Sequence, residues 1–329
     1  MSSRRRPLRT LRHLLEYGVV LVGYHAVRLL PHRALFWVAA MGGAGLYAMP
    51  RLRRVILANL AVAFPDMTLA GRRRLARRNT TSQILTFLEF VWFADRPQAL
   101  AEKVDFPDWC RDITGHCRDI GRPLIWATPH LGNWEVAGLK FRAQTGIPFA
   151  VVVRPFVNPW LDRMVRRSRE AQGGRIIPDR GAVRGVMKAL REGYQLATLI
   201  DQNTRVRDGG IFVDFFGLPV PTSRAPAMFA RKLNAWVAVG GCIRQGREYK
   251  LFLRELPRPA AEYPDDESLI QDLMRLTEDI VREHPEQYLW IYERWRYIPA
   301  DASPELAARY PFYATKAPPR FYDGNAEKE

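Results

Sequence analysis

The hydrophobic rhythm of the chain changes twice. The opening "MSSRRRPLRTLRHLLEYGVVLVGYHAVRLLP" passes from basic to apolar, but Glu16, His25 and Arg28 interrupt the apolar part. A bilayer-spanning helix carries such ionisable groups at high cost. A second apolar block, "ALFWVAAMGGAGLYAM" from Ala34 to Met49, is short for a span. Both blocks suit helices that lie in or on a membrane interface, and whether either crosses it stays open. No small-residue cleavage site of the A-x-A kind follows, so the segment does not read as a removable signal. From Arg51 to about Phe93 the apolar positions recur at three and four, first in "RVILANLAVAF" and, beyond Pro65, in "LAGRRRLARRNTTSQILTFLEFVWF". That spacing predicts two helices.

After Pro123 the texture becomes short β-type runs alternating with amphipathic stretches. The runs "PLIWAT", "FAVVV", "RIIP", "QLATLI", "IFVDFF", "WVAVGGCI" and "YKLFLREL" predict strands, and 133–145, 159–172, 181–193, 222–234 and 265–283 predict helices. The order is α/β: a mixed, largely parallel sheet flanked by helices, with ligand sites at the carboxyl ends of strands. A proline-rich polar stretch from Ala300, ending "KAPPRFYDGNAEKE", predicts a flexible tail. The chain thus divides into an N-terminal helical membrane-associating segment (1–50), a folded domain (51–299) and the tail (300–329).

Charge sharpens this picture. The 329 residues carry 50 Lys and Arg against 34 Asp and Glu, a net charge of +16. The surface field attracts nucleic acid, anionic lipid or an acidic protein, and composition does not choose among them. Position does. Arg4, Arg5, Arg6, Arg9 and Arg12 precede the first apolar block, and Arg51, Arg53 and Arg54 follow the second, flanks suited to anionic lipid on the cytoplasmic side. Arginines 72, 73, 74, 77 and 78 form either a solvated face or one that meets phosphate or lipid. No nucleic-acid reading motif accompanies the charge. Three cysteines, Cys110, Cys117 and Cys242, without CxxC spacing point to reduced thiols. His116-Cys117 has no second such pair to complete a metal site, so no metal is expected.

Chemistry concentrates in "TPHLGNWEVAG", residues 128–138. "PLIWAT" ends just before His130, Gly132 permits a tight turn, and Asn133 is a good N-cap for the helix that follows. His130 in the strand-end loop and Glu135 in the first helical turn form a candidate general base and its orienting carboxylate. A first-turn acid is also favoured simply by the helix dipole.

His130-Leu-Gly-Asn-Trp-Glu135 resembles the H-x4-D/E motif of the lysophospholipid acyltransferase superfamily, in the HxGNWE form of its lipid A late acyltransferases, the lauroyl and myristoyl transferases. Further similarities follow in order: "NLAVAFPDMT" (59–68), "VVVRPFVNPWLD" (151–162), "LIDQN" (199–203), "VDFFGLPVPT" (213–222) and "PEQYLWIYERW" (285–295). The resemblance spans about residues 50–298. It departs at Asn203 and at Glu293, which bears on acceptor identity more than on chemistry.

The resemblance implies a glycerolipid acyltransferase-like fold. It implies an enzyme at the cytoplasmic face of a bacterial inner membrane that moves a fatty acyl chain from acyl carrier protein, or coenzyme A, to a hydroxyl of a lipid A precursor. The thioester is a co-substrate and no resident cofactor is expected. His130 would act as base and Glu135 would fix its tautomer. Arg154 and Asn158, at the next strand end, together with Asp201, Arg224 and Arg294, are candidates for substrate contact. Arg154 would stabilise an oxyanion or bind phosphate, and Asp201 would orient Arg154 or the acceptor; Arg224 and Arg294 would meet an acceptor phosphate or form ordinary surface salt bridges, while Asn158 reads equally as an N-cap. The acidic carrier, anionic lipid and a phosphorylated acceptor would all meet one positive face. A lysophospholipid or an aminolipid is the alternative acceptor. A hydrolase is disfavoured because no G-x-S-x-G elbow is present.

Overall fold

The structure, a computed structural model, describes residues 5–171, 173–179 and 181–323; Arg4 and the last six tail residues lie outside it, as do the side chains of Arg5 and Arg6. Four helices come first: α1 (Arg5–Leu29), α2 (His32–Ala48), α3 (Pro50–Ala63) and α4 (Leu69–Phe93). Pro50 occupies the first turn of α3, where a missing N–H costs nothing, and the Thr68 hydroxyl caps α4 by accepting from Gly71 N at 3.2 Å. α2 packs closely on α4. A Cβ on Gly43 would stand 2.6 Å from the Thr81 backbone, so only glycine permits this approach.

α5 (Pro97–Lys103), β1 (Val104–Asp105) and α6 (Asp108–Asp119) then lead into an alternating series. It runs β2 (Leu124–Thr128), α7 (Trp134–Thr145), β3 (Phe149–Val153), α8 (Pro159–Ala171), β4 (Arg175–Pro178), α9 (Ala182–Arg191) and β5 (Gln195–Leu199). A hairpin, β6 (Gly210–Phe215) and β7 (Leu218–Ser223), precedes α10 (Ala225–Leu233), β8 (Trp236–Gln245), β9 (Glu248–Glu255) and α11 (Asp266–Glu283).

The main sheet has the order β1-β9-β8-β2-β5-β3-β4, and its pairings are parallel except β8 with β9. Alternation along β2 shows why it has two covered faces. Leu124 and Trp126 pack with Leu35, Phe93, Val136 and Phe141 from α2, α4 and α7, whereas Ile125 and Ala127 join the cluster holding Val186, Ala230 and Leu273 of α9, α10 and α11. The α/β expectation therefore holds, with every strand run found in the sequence present as a strand.

Several elements depart from the expected pattern. The helix read over 222–234 begins only at Ala225, because Leu218–Ser223 forms β7 despite Pro219 and Pro221. β7 pairs with β6 alone, so its prolines leave no second ladder unmade. Phe216 and Gly217, both at positive φ, make the tight turn between the two strands. α5, β1 and α6 lack the long apolar periods that mark the other elements.

The stretch from Ala300 to Asp323, expected to be flexible, folds onto the domain. α12 (Pro304–Ala308) and α13 (Pro319–Tyr322) flank β11 (Thr315–Lys316), which pairs with β10 (Tyr297–Ile298), and Phe321 is buried. Its aromatic residues, not its prolines, decide the outcome.

Among the described residues no helix is long and apolar enough to cross a membrane. α1 and α2 instead leave large apolar side chains uncovered, among them Leu15, Val19, Val22, Leu29, Trp37 and Met41.

Candidate active site

β2 and β5 lie side by side and parallel, with Thr128 opposite Leu199. Two residues farther along each, the chains present His130 and Asp201 to one another. Asp201 Oδ1 is 2.6 Å from His130 Nδ1, and Asp201 Oδ2 accepts from the His130 backbone N–H at 2.8 Å. The carboxylate is thus bidentate on one residue, so the imidazole cannot pivot. Burial acts to raise the Asp201 pKa, but the neighbouring His130, its two hydrogen bonds and the Arg294 charge outweigh that and hold it below the ordinary carboxylate value. An ionised acceptor on Nδ1 favours the tautomer with the proton on that nitrogen, which in the neutral ring leaves the lone pair on Nε2. Nε2 faces the amide of exposed Gln202 at 3.3 Å.

The expected partner of His130 was Glu135, and here the geometry corrects the sequence reading. Glu135 pairs with Arg169 and so fastens α7 to α8. A first-turn side chain can point away from the loop that precedes it, and here the sheet register supplies the carboxylate instead.

The loop carrying His130 is held from several sides. Gly132 is at φ +64°, and a Cβ there would lie 2.0 Å from the Cys242 carbonyl, so no other residue fits. Asn133 N donates to that same carbonyl at 2.7 Å, and Leu289 N donates to His130 O at 3.0 Å. Asn133 Oδ1 caps α7 by accepting from Val136 N, and its amide donates to Thr86 O and Glu89 Oε2, each at 3.2 Å.

Glu89 is fully buried and bound on both oxygens by Arg244, at 2.9 and 2.6 Å, and by the Tyr249 hydroxyl at 2.5 Å. Asn79 and Gln83 of α4 and Asn59 of α3 donate to carbonyls of the irregular stretch 286–292, which lies over the site. Buried backbone without regular structure needs such partners. Sequence reading missed this amide ladder and the Glu89–Arg244 pair. A glutamate in an apolar helix run and an arginine at a strand end were the available signals.

Beside the imidazole, the Trp134 ring stands edge-on to His130, 4.9 Å between centroids. Trp134 also lines a half-open apolar pocket of about 50 Å³, walled by α7 (Ala137, Gly138, Phe141) and the sheet (Trp126, Thr128, Ala197). A held base next to an apolar slot can serve acyl chemistry on a lipid chain.

The family model described as bacterial lipid A biosynthesis acyltransferase matches residues 4–297. The chain belongs to this family. The acyltransferase is 25% identical to the lipid A biosynthesis lauroyltransferase of Escherichia coli (strain K12) over 277 residues, covering 82% of this chain and 88% of that one. It is 26% identical to the lipid A biosynthesis palmitoleoyltransferase of the same organism over 289 residues, 83% and 89% of the two chains. A phosphatidylinositol mannoside acyltransferase of Mycolicibacterium smegmatis (strain ATCC 700084 / mc(2)155) is 27% identical over 213 residues, 64% and 67% of the two chains.

The remaining residues expected at the acyltransferase site take varied positions. Arg154 is exposed and pairs at 3.1 Å with Asp179, not with Asp201, whose two oxygens are taken by His130. Asn158 is buried and structural in its contacts: its oxygen accepts from Trp160 N at the start of α8, and its amide donates to His13 O and Glu16 of α1. Arg224 is exposed at the start of α10.

Arg294 is buried, so the expected phosphate contact does not fit its place. It donates to Asn203 Oδ1 at 2.8 Å, Pro221 O at 3.0 Å and the Thr222 hydroxyl, which locks the hairpin to the stretch over the site. Burial lowers its pKa, opposed by Tyr288, Tyr292 and Asp201, so Arg294 is the cation behind Asp201. Asn203 is also tied to Glu293 O and the Tyr292 hydroxyl, which makes this departure from the family pattern part of the lock; the Glu293 side chain instead pairs with Arg296 at 2.8 Å and Arg51 at 3.7 Å. The three cysteines are free and buried.

Proposed function

We propose that this acyltransferase moves a fatty acyl chain from an acyl carrier protein thioester, or the coenzyme A equivalent, to a hydroxyl of a lipid A-type acceptor. The observation that carries the reading is His130, fixed through Nδ1 by Asp201, with Nε2 available beside an apolar pocket. Nε2 takes the proton as the acceptor oxygen attacks the thioester carbonyl carbon. The tetrahedral intermediate collapses with cleavage of the C–S bond, and the imidazolium returns the proton to the thiolate. Asp201 stabilises the imidazolium between these steps. No resident cofactor is used, because the acyl group arrives already activated.

The enzyme works from the cytoplasmic surface of the inner membrane. Exposed apolar side chains on α1 and α2, bordered by Arg9, Arg12, Arg33, Arg51 and Arg54, suit helices lying in the interface of an anionic bilayer. The net charge of +16 favours the acidic carrier protein as donor. A relative named for phosphatidylinositol mannoside supports a second reading, the same chemistry on another anionic glycolipid.

The test incubates detergent-solubilised enzyme with acyl carrier protein thioesters and a tetra-acylated lipid A precursor, a lysophospholipid in parallel, and reads products by mass spectrometry. An acyl mass gain on the precursor that falls about 10²- to 10⁴-fold in His130→Ala is expected. Gain on the lysophospholipid alone moves the acceptor. Turnover equal to wild type in His130→Ala overturns the mechanism.

A further inference from the structure

Three glycines line the pocket beside His130, and they are small for different reasons. On the sheet wall, a Cβ at Gly240 would come within 2.6 Å of the Trp126 ring, and one at Gly241 within 2.8 Å of the Phe252 ring. Those two make room for side chains already present. On the helix wall a Cβ at Gly138 meets no atom within 4 Å.

Gly138 lies on the pocket face of α7, four residues after Trp134 and three before Phe141, both of which line the same space. Glycine is a poor choice in a helix interior unless something requires it. No neighbouring side chain requires it here, and the structure offers one other reason, the space above it.

We propose that Gly138 is a specificity-determining residue that sets how long an acyl chain the pocket accepts; this rests on the acyl-transfer reading. The chain enters beside Trp134 and His130, so Gly138 stands about 6 Å along the helix from the reacting end. A side chain there occupies the volume of the distal methylenes while leaving the reacting end free. Trp109, Phe141 and Phe149 also line the pocket. Long chains therefore need the bare helix surface that Gly138 provides, and short chains do not.

The experiment compares wild type, Gly138→Ala and Gly138→Leu with acyl carrier protein thioesters of graded length. In parallel, binding of nitroxide-labelled fatty acids of the same lengths is read by tryptophan quenching. In Gly138→Leu the ratio of kcat/KM for long over short donors should drop at least tenfold, since each excluded methylene is worth about fourfold. The short donor should stay within a few-fold of wild type. Gly138→Ala should give a smaller shift in the same direction with an unfolding temperature unchanged or raised by about 2 °C, which separates filled space from a damaged helix.

An unchanged length ratio in both assays overturns the proposal, as does equal loss of short and long chains in stably folded Gly138→Ala. If wild type transfers no acyl group but Gly138→Leu still rejects long fatty acids, the pocket assignment stands and the proposed reaction fails.

Discussion

Two pairs of side chains leave the parallel sheet by the same device and end in different circumstances. Thr128 lies opposite Leu199, and two residues on, His130 meets Asp201; Val153 lies opposite Pro178, and one residue on, Arg154 meets Asp179. Equal advance from a shared register brings partners together in both cases. What differs is the cover. The side chains of the first pair are 9% and 1% exposed, and those of the second 83% and 34%. Over the first lies the stretch that contributes Leu289 to His130 and Arg294 behind Asp201. Register makes a pair, but burial decides whether it can hold an imidazole in one state.

The largest effect that probes this contrast is expected from Asp201→Asn. The amide keeps the shape but loses the charge, and it cannot accept on both atoms as the two His130 N–H groups require. The acyl transfer rate should fall about 10²- to 10⁴-fold while the protein remains folded. Glu135→Gln, which touches Arg169 and not the imidazole, should retain far more activity in the same assay. Equal losses in the two variants would return Glu135 to the role of orienting acid. Because the folded-state pKa of Asp201 is depressed, its stabilising contribution is complete above the unfolded value near 3.9 and disappears as pH falls through the lower folded value. The stability gap between wild type and Asp201→Asn should therefore narrow only under strongly acidic conditions, as thermal unfolding against pH would show.

A second buried pair sharpens the comparison because its expected effect falls on stability. Glu89 and Arg244 lie beneath the loop, at 0% and 8% side-chain exposure. Glu89→Gln leaves the Arg244 charge buried without its counterion, for an expected loss of about 3–5 kcal/mol in denaturant unfolding. Removing both charges, as Glu89→Leu with Arg244→Met, should recover much of that loss, because an apolar pair avoids the desolvation cost of two ions. If the double variant is no more stable than Glu89→Gln, the network acts through its hydrogen bonds to Asn133, Tyr249 and Ser82 instead.

The strand runs were legible because a buried parallel strand reads as a short apolar block, and β2, β3, β4, β5 and β8 all do. His130 was legible as well, since a histidine after such a strand and before the Asn133 cap falls where α/β folds place ligands. The carboxylate that holds it was not. Asp201 is 71 residues away and meets His130 through strand pairing, which local spacing does not contain. Glu135, five residues from His130, looked the better partner for the same reason.

Arg294 shows the limit from the other side. Its charge suggested a phosphate at the surface, and burial among Asn203, Thr222 and Pro221 turned it into a lock. β7 was hidden by prolines that a two-stranded hairpin tolerates, and the C-terminal stretch was judged on its prolines when Phe321 and Tyr322 decide its packing.

The smallest effect belongs to the exposed strand-end pair. An ion pair with this much water around it contributes about 0–1 kcal/mol and less as salt rises. Arg154→Ala should therefore unfold within about 1 kcal/mol of wild type. If Arg154 serves the site, it does so by meeting substrate, and the variant should then show a raised KM for donor or acceptor with kcat nearly intact. An unchanged KM and kcat would leave Arg154 as a surface charge, and a large drop in kcat would place it at the reacting carbonyl. Each outcome bears on the contrast between the two strand ends, because the same sheet geometry delivers both pairs and only their surroundings separate a fixed base from a solvated cation.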